Sequence, residues 1–257
     1  MSTSNNISRR EMLRMAGAAS VASAFAGCGP DQTESVEAAK KSVQNVSQAQ
    51  SQSQSSVPSC VVRPEQMEGP YFVDNVLKRS DIRLDPSDGS MTEGIPLRLA
   101  INVSRMNGSA CEPLPGAVVD LWQCDALGVY SDFQDFAGHF DTRGRKFLRG
   151  HQETDAAGTA EFTTIYPGWY PGRAVHIHFK IRTDPDSEQG HEFTSQLYFD
   201  DELTAQVHTR ESYASHGRPP EKNADDGIFR RGGDELMLDL VEDDDGYAAT
   251  FGIGLEI

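Results

Sequence analysis

The sequence predicts an all-β sandwich with short helices and long loops, and three observations carry that prediction. Apolar residues alternate with polar ones at the two-residue period of half-buried strands, turn signals separate these runs, and only one brief stretch reads as helical. With 37% hydrophobic residues in a chain of 257, the composition supports one globular domain plus an appendage.

The appendage comes first. Ser8-Arg9-Arg10-Glu11-Met12-Leu13-Arg14 sets paired arginines ahead of a small-residue apolar run, which resembles a twin-arginine export signal over residues 1–28. Phe25-Ala26-Gly27-Cys28 resembles a lipobox with Phe25 in place of the usual Leu, so Cys28 is a lipid-anchor candidate and ordinary cleavage is the alternative. Residues 29–59 turn to Ser, Gln, Ala and Val without large apolar side chains and cannot offset their ordering entropy. They read as a disordered tether that, as a flexible coil, would span about 30 Å root-mean-square. The expected location is periplasmic or cell-surface.

The sandwich occupies residues 60–257. Leu97, Leu99, Ile101 and Val103 alternate with Arg98, Ala100 and Asn102; residues 117–122 follow a Pro-Gly turn; residues 159–165 follow Asp155-Ala156-Ala157-Gly158. Residues 175–181 and 194–199 give two more strands, and the last 24 residues give another two around Glu242-Asp243-Asp244-Asp245-Gly246. Residues 201–209 are the helical stretch. Besides Cys28, the cysteines are Cys60, Cys111 and Cys124, none at metal-ribbon or redox-pair spacing; one bridge and one free thiol is the simplest arrangement, with the pair left open.

Net charge of −16 excludes a nucleic-acid footprint, and the longest apolar run, residues 15–27, is too short for a polytopic membrane protein. Chemistry concentrates between Tyr166 and Phe179. On a strand His176 and His178 project from one face and Ile177 and Phe179 from the other, which presents two imidazoles side by side as metal ligands or as hydrogen-bonded histidines.

Tyrosines extend the pattern: Tyr170 lies six residues before His176 and Tyr130 follows a core strand. Five ordered blocks, residues 64–72, 79–82, 114–122, 170–179 and 196–199, then resemble the intradiol ring-cleavage dioxygenases. That resemblance implies a β-sandwich of the same type and one Fe(III) per chain held by Tyr130, Tyr170, His176 and His178. Two hard phenolate donors favour ferric iron. It further implies that a catechol-type substrate and O2 are the partners, that both oxygen atoms enter between the two hydroxyl-bearing carbons, and that a cis,cis-muconate-type product leaves. Tyr170 would take a substrate proton. Arg173 matches an arginine facing the substrate ring, Gln196 a glutamine that would orient a ligand histidine, and Pro70 and Tyr71 a pocket wall. His139, His151, His191, His208 and His216 match no ligand position.

Only Pro171 and Gly172 separate Tyr170 from Arg173, and Ala174-Val175 replaces the family's usual Pro-Ala, so the choice among catechol, protocatechuate, hydroxyquinol and larger derivatives stays open. An exported enzyme would meet extracellular catechols. No helical dimerisation region precedes the sandwich, which leaves the oligomeric state open, a homodimer included. Two rivals remain: a non-catalytic tethered binding module, and a zinc hydrolase, against which the tyrosine pair and the lack of a placed acidic general base both count.

Overall fold

Strand β1 (Pro96–Asn107) is the spine of one sheet because its alternation buries Leu97, Leu99, Ile101 and Val103. The computed structural model describes residues 61–257, apart from 75–76, 109, 136–137, 139, 185–186 and 188–189. The export signal, Cys28, the tether, Cys60 and His139 lie outside the described residues.

β1 runs parallel to β9 (Gly246–Leu255) on one side, from Leu97 opposite Tyr247 to Arg105 opposite Leu255. On its other side it pairs antiparallel first with β5 (Thr159–Ile165) and then with β2 (Ala110–Pro113). The short strand β8 (Val241–Asp243) forms a hairpin with β9, and Asp244 in the turn takes φ +45°. The second sheet has the order β4 (Arg149–Glu153), β3 (Val118–Trp122), β6 (His176–Arg182), β7 (Glu192–Tyr198), antiparallel throughout.

One face of this second sheet enters the core. Val119, Leu121, Ile177, Phe179, Ile181 and Leu197 are all buried, and the Phe179 ring lies 5.8 Å from Phe251 of β9, joining the two sheets. Filling this layer is the main favourable term of folding, roughly 1.5–3 kcal/mol per large side chain. On the opposite face the pairing register lines up Arg149, Trp122, His178 and Gln196 as one row across four strands, with Tyr198 beside His176. That face is buried too: Gln66 N–H bonds to the Thr194 carbonyl at 2.9 Å and the Gln196 side chain to the Met67 carbonyl at 2.9 Å, so the segment preceding β1 lies along it.

The expected strands therefore exist close to their expected positions. β4 was not among them, because Arg-Gly-His-Gln-Glu shows no apolar alternation and is a strand through its pairing with β3. The helical stretch is α1 (Asp201–Val207), capped by the Asp200 carboxylate, which accepts from Glu202 N–H at 2.9 Å and Leu203 N–H at 2.8 Å. A second short helix, α2 (Glu211–Ala214), and single 3-10 turns at Asn223–Asp225 and Gly233–Leu236 add to it. Cys111 is disulfide-bonded, and Cys124 is the buried free thiol. No helix among the described residues is long and apolar enough to cross a membrane.

The residues around α1 and α2 brace the loop that leaves β5. His208, 2% exposed, bonds through Nε2 to the Pro167 carbonyl at 3.1 Å and stacks on Tyr213, whose hydroxyl donates to the Tyr166 carbonyl at 2.7 Å. Burial pushes the His208 pKa down to about 4. As pH falls below the usual histidine value, the unfolded chain takes up this proton first, so stability declines between roughly pH 6.5 and 4 by on the order of 2–3 kcal/mol. Urea unfolding across this window should show the decline in the wild type and a flatter profile for His208→Gln; equal profiles would refute the assignment.

Candidate metal centre

Two loops carry tyrosines onto the histidine face. The first follows β3: Gln123 Nε2–H donates to the Ile165 carbonyl at 2.9 Å, and Asp125 Oδ1 accepts from Leu127 and Val129 N–H, both at 2.9 Å, delivering Tyr130. The second follows β5, where Gly168 N–H donates to the Asp125 carbonyl at 3.0 Å, the Trp169 indole N–H to the Gly217 carbonyl at 3.1 Å, and the loop ends at Tyr170. The loops meet backbone to backbone. A Cβ on Gly128 would stand 2.1 Å from the Trp169 carbonyl oxygen, and one on Gly168 2.4 Å from that of Asp125, so only glycine permits this approach.

The four predicted ligands converge. Nε2 of His176 lies 3.1 Å from Nε2 of His178 and 3.1 Å from the Tyr170 hydroxyl, and the Tyr130 ring stands 5.6 Å from Tyr170 and 6.4 Å from His178. The His176 Nδ1–H donates to the Ala174 carbonyl at 2.7 Å, which leaves Nε2 as a lone pair turned toward His178 Nε2 and the Tyr170 hydroxyl. Ring stacking on Trp122, at 5.0 Å and 5°, orients His178. The Tyr130 hydroxyl is fully buried and makes no well-formed hydrogen bond, its neighbour being the Tyr170 hydroxyl.

Burial dominates the electrostatics. It raises Tyr130 well above the usual phenol value, with neighbouring Tyr170 adding to the effect, and raises Tyr170 against the opposing pull of Arg173. It lowers His176 and His178 well below the usual imidazole value, reinforced by Arg173. Both imidazoles are therefore neutral and both phenols protonated until a cation displaces the phenolic protons. An inward lone pair on His176, His178 Nε2 beside it and two buried phenols form a nitrogen and oxygen donor set that fits a hard cation. No three His, Cys, Asp or Glu side chains among the described residues are grouped to hold a metal; beside the histidine pair the further donors are the two tyrosine hydroxyls.

The remaining predicted residues take distinct places. Arg173 Nη1 reaches His176 Nε2 at 3.3 Å and the Tyr170 hydroxyl at 3.4 Å. Gln196 accepts from Arg173 through Oε1 and contacts Tyr198 and the Met67 carbonyl, thus holding the arginine rather than a histidine nitrogen. Tyr71 stacks on Tyr130 at 4.1 Å and 9° and meets Tyr170 edge-on at 5.7 Å, forming a wall, whereas Pro70 is exposed. Gly69, just before it, passes so close that a Cβ would lie 3.3 Å from His178 Cε1.

Sequence reasoning passed over Trp122, Arg149, Tyr198 and Asp226. The Tyr198 hydroxyl donates to Gln66 Oε1 at 2.8 Å and lies 3.4 Å from Arg173 Nη2. Arg149 donates to Ser131 Oγ at 2.8 Å and to the Tyr71 carbonyl at 3.3 Å, tying the wall to the Tyr130 loop. Only a strand register, which no single sequence displays, would have pointed to Trp122, Arg149 and Tyr198.

Residues 67–209 match the family model described as Dioxygenase. Among curated proteins, catechol 1,2-dioxygenase 1 of Acinetobacter lwoffii is 29% identical over 147 residues, covering 47% of this chain and 42% of the relative. The protocatechuate 3,4-dioxygenase beta chain of Burkholderia cepacia is 33% identical over 130 residues, covering 45% and 53%. The chain thus spans about half the length of the curated relatives it matches. A solved intradiol ring-cleavage dioxygenase from Tetranychus urticae superposes with a TM-score of 0.66 at 30% identity, covering 77% of this chain and 95% of that one.

The weakly tied Tyr130 hydroxyl leads to a prediction about the metal-free protein. Tyr130→Phe removes a buried hydroxyl held by no more than a weak contact with Tyr170 and should leave stability nearly unchanged. Tyr213→Phe, which strips the partner from the Tyr166 carbonyl and from Ile95 N–H, should cost about 1–3 kcal/mol. Denaturant unfolding of both variants checks this, and a loss at Tyr130 as large as that at Tyr213 would mean that the Tyr130 hydroxyl is held by a full-strength hydrogen bond.

Proposed function

The chain belongs to the intradiol dioxygenase family, and from that premise we propose that it binds one Fe(III) through Tyr130, Tyr170, His176 and His178 and cleaves a catechol-type aromatic between its two hydroxyl-bearing carbons, both atoms of O2 entering a cis,cis-muconate-type product. The observation that carries the proposal is the convergence of two neutral imidazole nitrogens and the Tyr170 hydroxyl at 3.1 Å spacings beside the buried Tyr130 phenol.

Ferric iron, when bound, supplies the Lewis acidity that lowers a catechol's pKa values and the electron-accepting character that opens its ring to O2. The chain's own residues do the rest. Tyr170, less enclosed than Tyr130 and 3.4 Å from Arg173, is the phenol placed to receive a substrate proton on its oxygen. The Arg173 guanidinium is a fixed positive charge at the point where negative charge develops on the ring, and its flat fork reaches Tyr170, His176 and Gln196 at once. Tyr71, stacked on Tyr130, and Phe133, edge-on to Tyr71 at 4.9 Å, line the approach with aromatic surface.

Substrate choice within the catechols and export to the periplasm or cell surface, with a lipid on Cys28, belong to the same proposal. Fractionation of cells expressing the wild type and Cys28→Ala tests the export reading; both proteins in the cytosol would contradict it. For the activity, the iron-reconstituted protein is given a catechol panel under ¹⁸O2. Both label atoms should appear in the ring-opened acid with one O2 consumed per catechol, and Arg173→Ala should lower kcat by ~10²–10³-fold. Iron-loaded protein that consumes no O2 with any catechol would refute the proposal and return the fold to a binding role.

A further inference from the structure

Arg173 is aimed by a residue 53 positions further along the chain. Asp226, 1% exposed, follows the 3-10 turn Asn223–Asp225, beyond residues 67–209 that carry the family match. Its Oδ2 accepts from Arg173 Nε–H at 2.9 Å and from Ala174 N–H at 3.0 Å. Its Oδ1 accepts from Ile228 N–H at 2.7 Å and lies 3.4 Å from Phe229 N. One oxygen therefore belongs to the site and the other to the local turn.

We infer that Asp226 is a positioning residue for the site, fixing the rotation of the Arg173 guanidinium and the orientation of His176. The guanidinium has three edges. With Nε–H held by Asp226, Nη2 can only face Gln196 and Tyr198, and Nη1 can only face Tyr170 and His176. The bond to Ala174 N–H acts in parallel, because the carbonyl of that same residue receives the His176 Nδ1–H at 2.7 Å. A single buried carboxylate thus sets both the arginine and the imidazole it approaches. Gln196, Tyr198 and Gln66 form the other wall of the arginine slot, with the Tyr198 hydroxyl bonded to Gln66 and the Gln66 amide bonded to the Ile228 carbonyl at 3.2 Å, back beside Asp226. The C-terminal loop and the segment before β1 close around Arg173 from two directions.

Asp226→Asn preserves shape but offers one acceptor where the carboxylate offers two, and it turns an N–H₂ toward another donor. The catalytic consequence rests on the proposed function; the placement of Arg173 does not. The test therefore has two arms. In the metal-free protein, NMR of ¹⁵N-arginine side chains should show the Arg173 Nε–H as a dispersed, slowly exchanging signal that Asp226→Asn abolishes. In the iron-loaded protein, kcat should fall ~10–100-fold, the cost of a catalytic group displaced by about an ångström, while iron content stays at the wild-type level. In the Arg173→Ala background Asp226→Asn should cost clearly less than it costs the wild type, the remainder being its effect on His176 through Ala174, whereas a purely structural role would cost the same in both backgrounds.

Both signals moving together supports the inference; an Nε–H that stays protected, or a kcat that stays at the wild-type value, overturns it. If Asp226→Asn does not fold, Asp226→Glu, with its carboxylate one methylene further out, is read by the same two criteria. A wild-type protein that binds iron without turning over any catechol would refute the proposed function alone, since the NMR arm would still decide where Asp226 holds Arg173.

Discussion

The site depends on the antiparallel register between β3, β6 and β7. Because side chains on a strand alternate, one register decision sends Ile177, Phe179 and Ile181 into the core and His176 and His178 to the other face, and the same decision places Trp122 and Gln196 on either side of His178. A slip of one residue would exchange the two sets. The hydrophobic layer that stabilises the sandwich is thus also what fixes the imidazole pair, and stability and site geometry cannot be separated on β6.

A rigid strand pair alone supplies only two donors. The tyrosines come from loops, and a loop positions a side chain well only when its backbone is committed elsewhere. Here Gly128 and Gly168 let the two loops pack against each other, Gln123 ties one to the end of β5, and His208, Tyr213 and Gly217 hold the other. Burial then keeps all four groups neutral at ordinary pH, and the Arg173 charge beside them is offset by Asp226. This arrangement favours a cation able to displace phenolic protons.

Much of this was legible in the sequence, though by different routes. Alternation in residues 97–103 and the Asp155-to-Gly158 turn led to β1 and β5 directly, because period and turn chemistry are local. The His176 and His178 pair followed from strand spacing. Nothing local selected Tyr130 and Tyr170 as their companions; the resemblance did, and the geometry brings all four together. Gln196 was expected to orient a histidine and instead holds Arg173, because it points along a row set by β7 pairing. β4 and Arg149 were invisible since a polar strand is defined by its neighbour. Asp226 is one acid among 39 in an acid-rich chain, and only the path of the C-terminal loop distinguishes it.

The central claim is that two tyrosines complete a histidine pair into an iron site. The most direct measurement is the visible absorption spectrum of iron-loaded protein alongside metal analysis, for the wild type and for Tyr130→Phe. Bound tyrosinate should give a charge-transfer band that colours the wild type red-brown, moves to longer wavelength when catechol is added without oxygen, and weakens in the variant. A protein that takes up one iron per chain and remains colourless would show that the tyrosines are not ligands and would contradict the account.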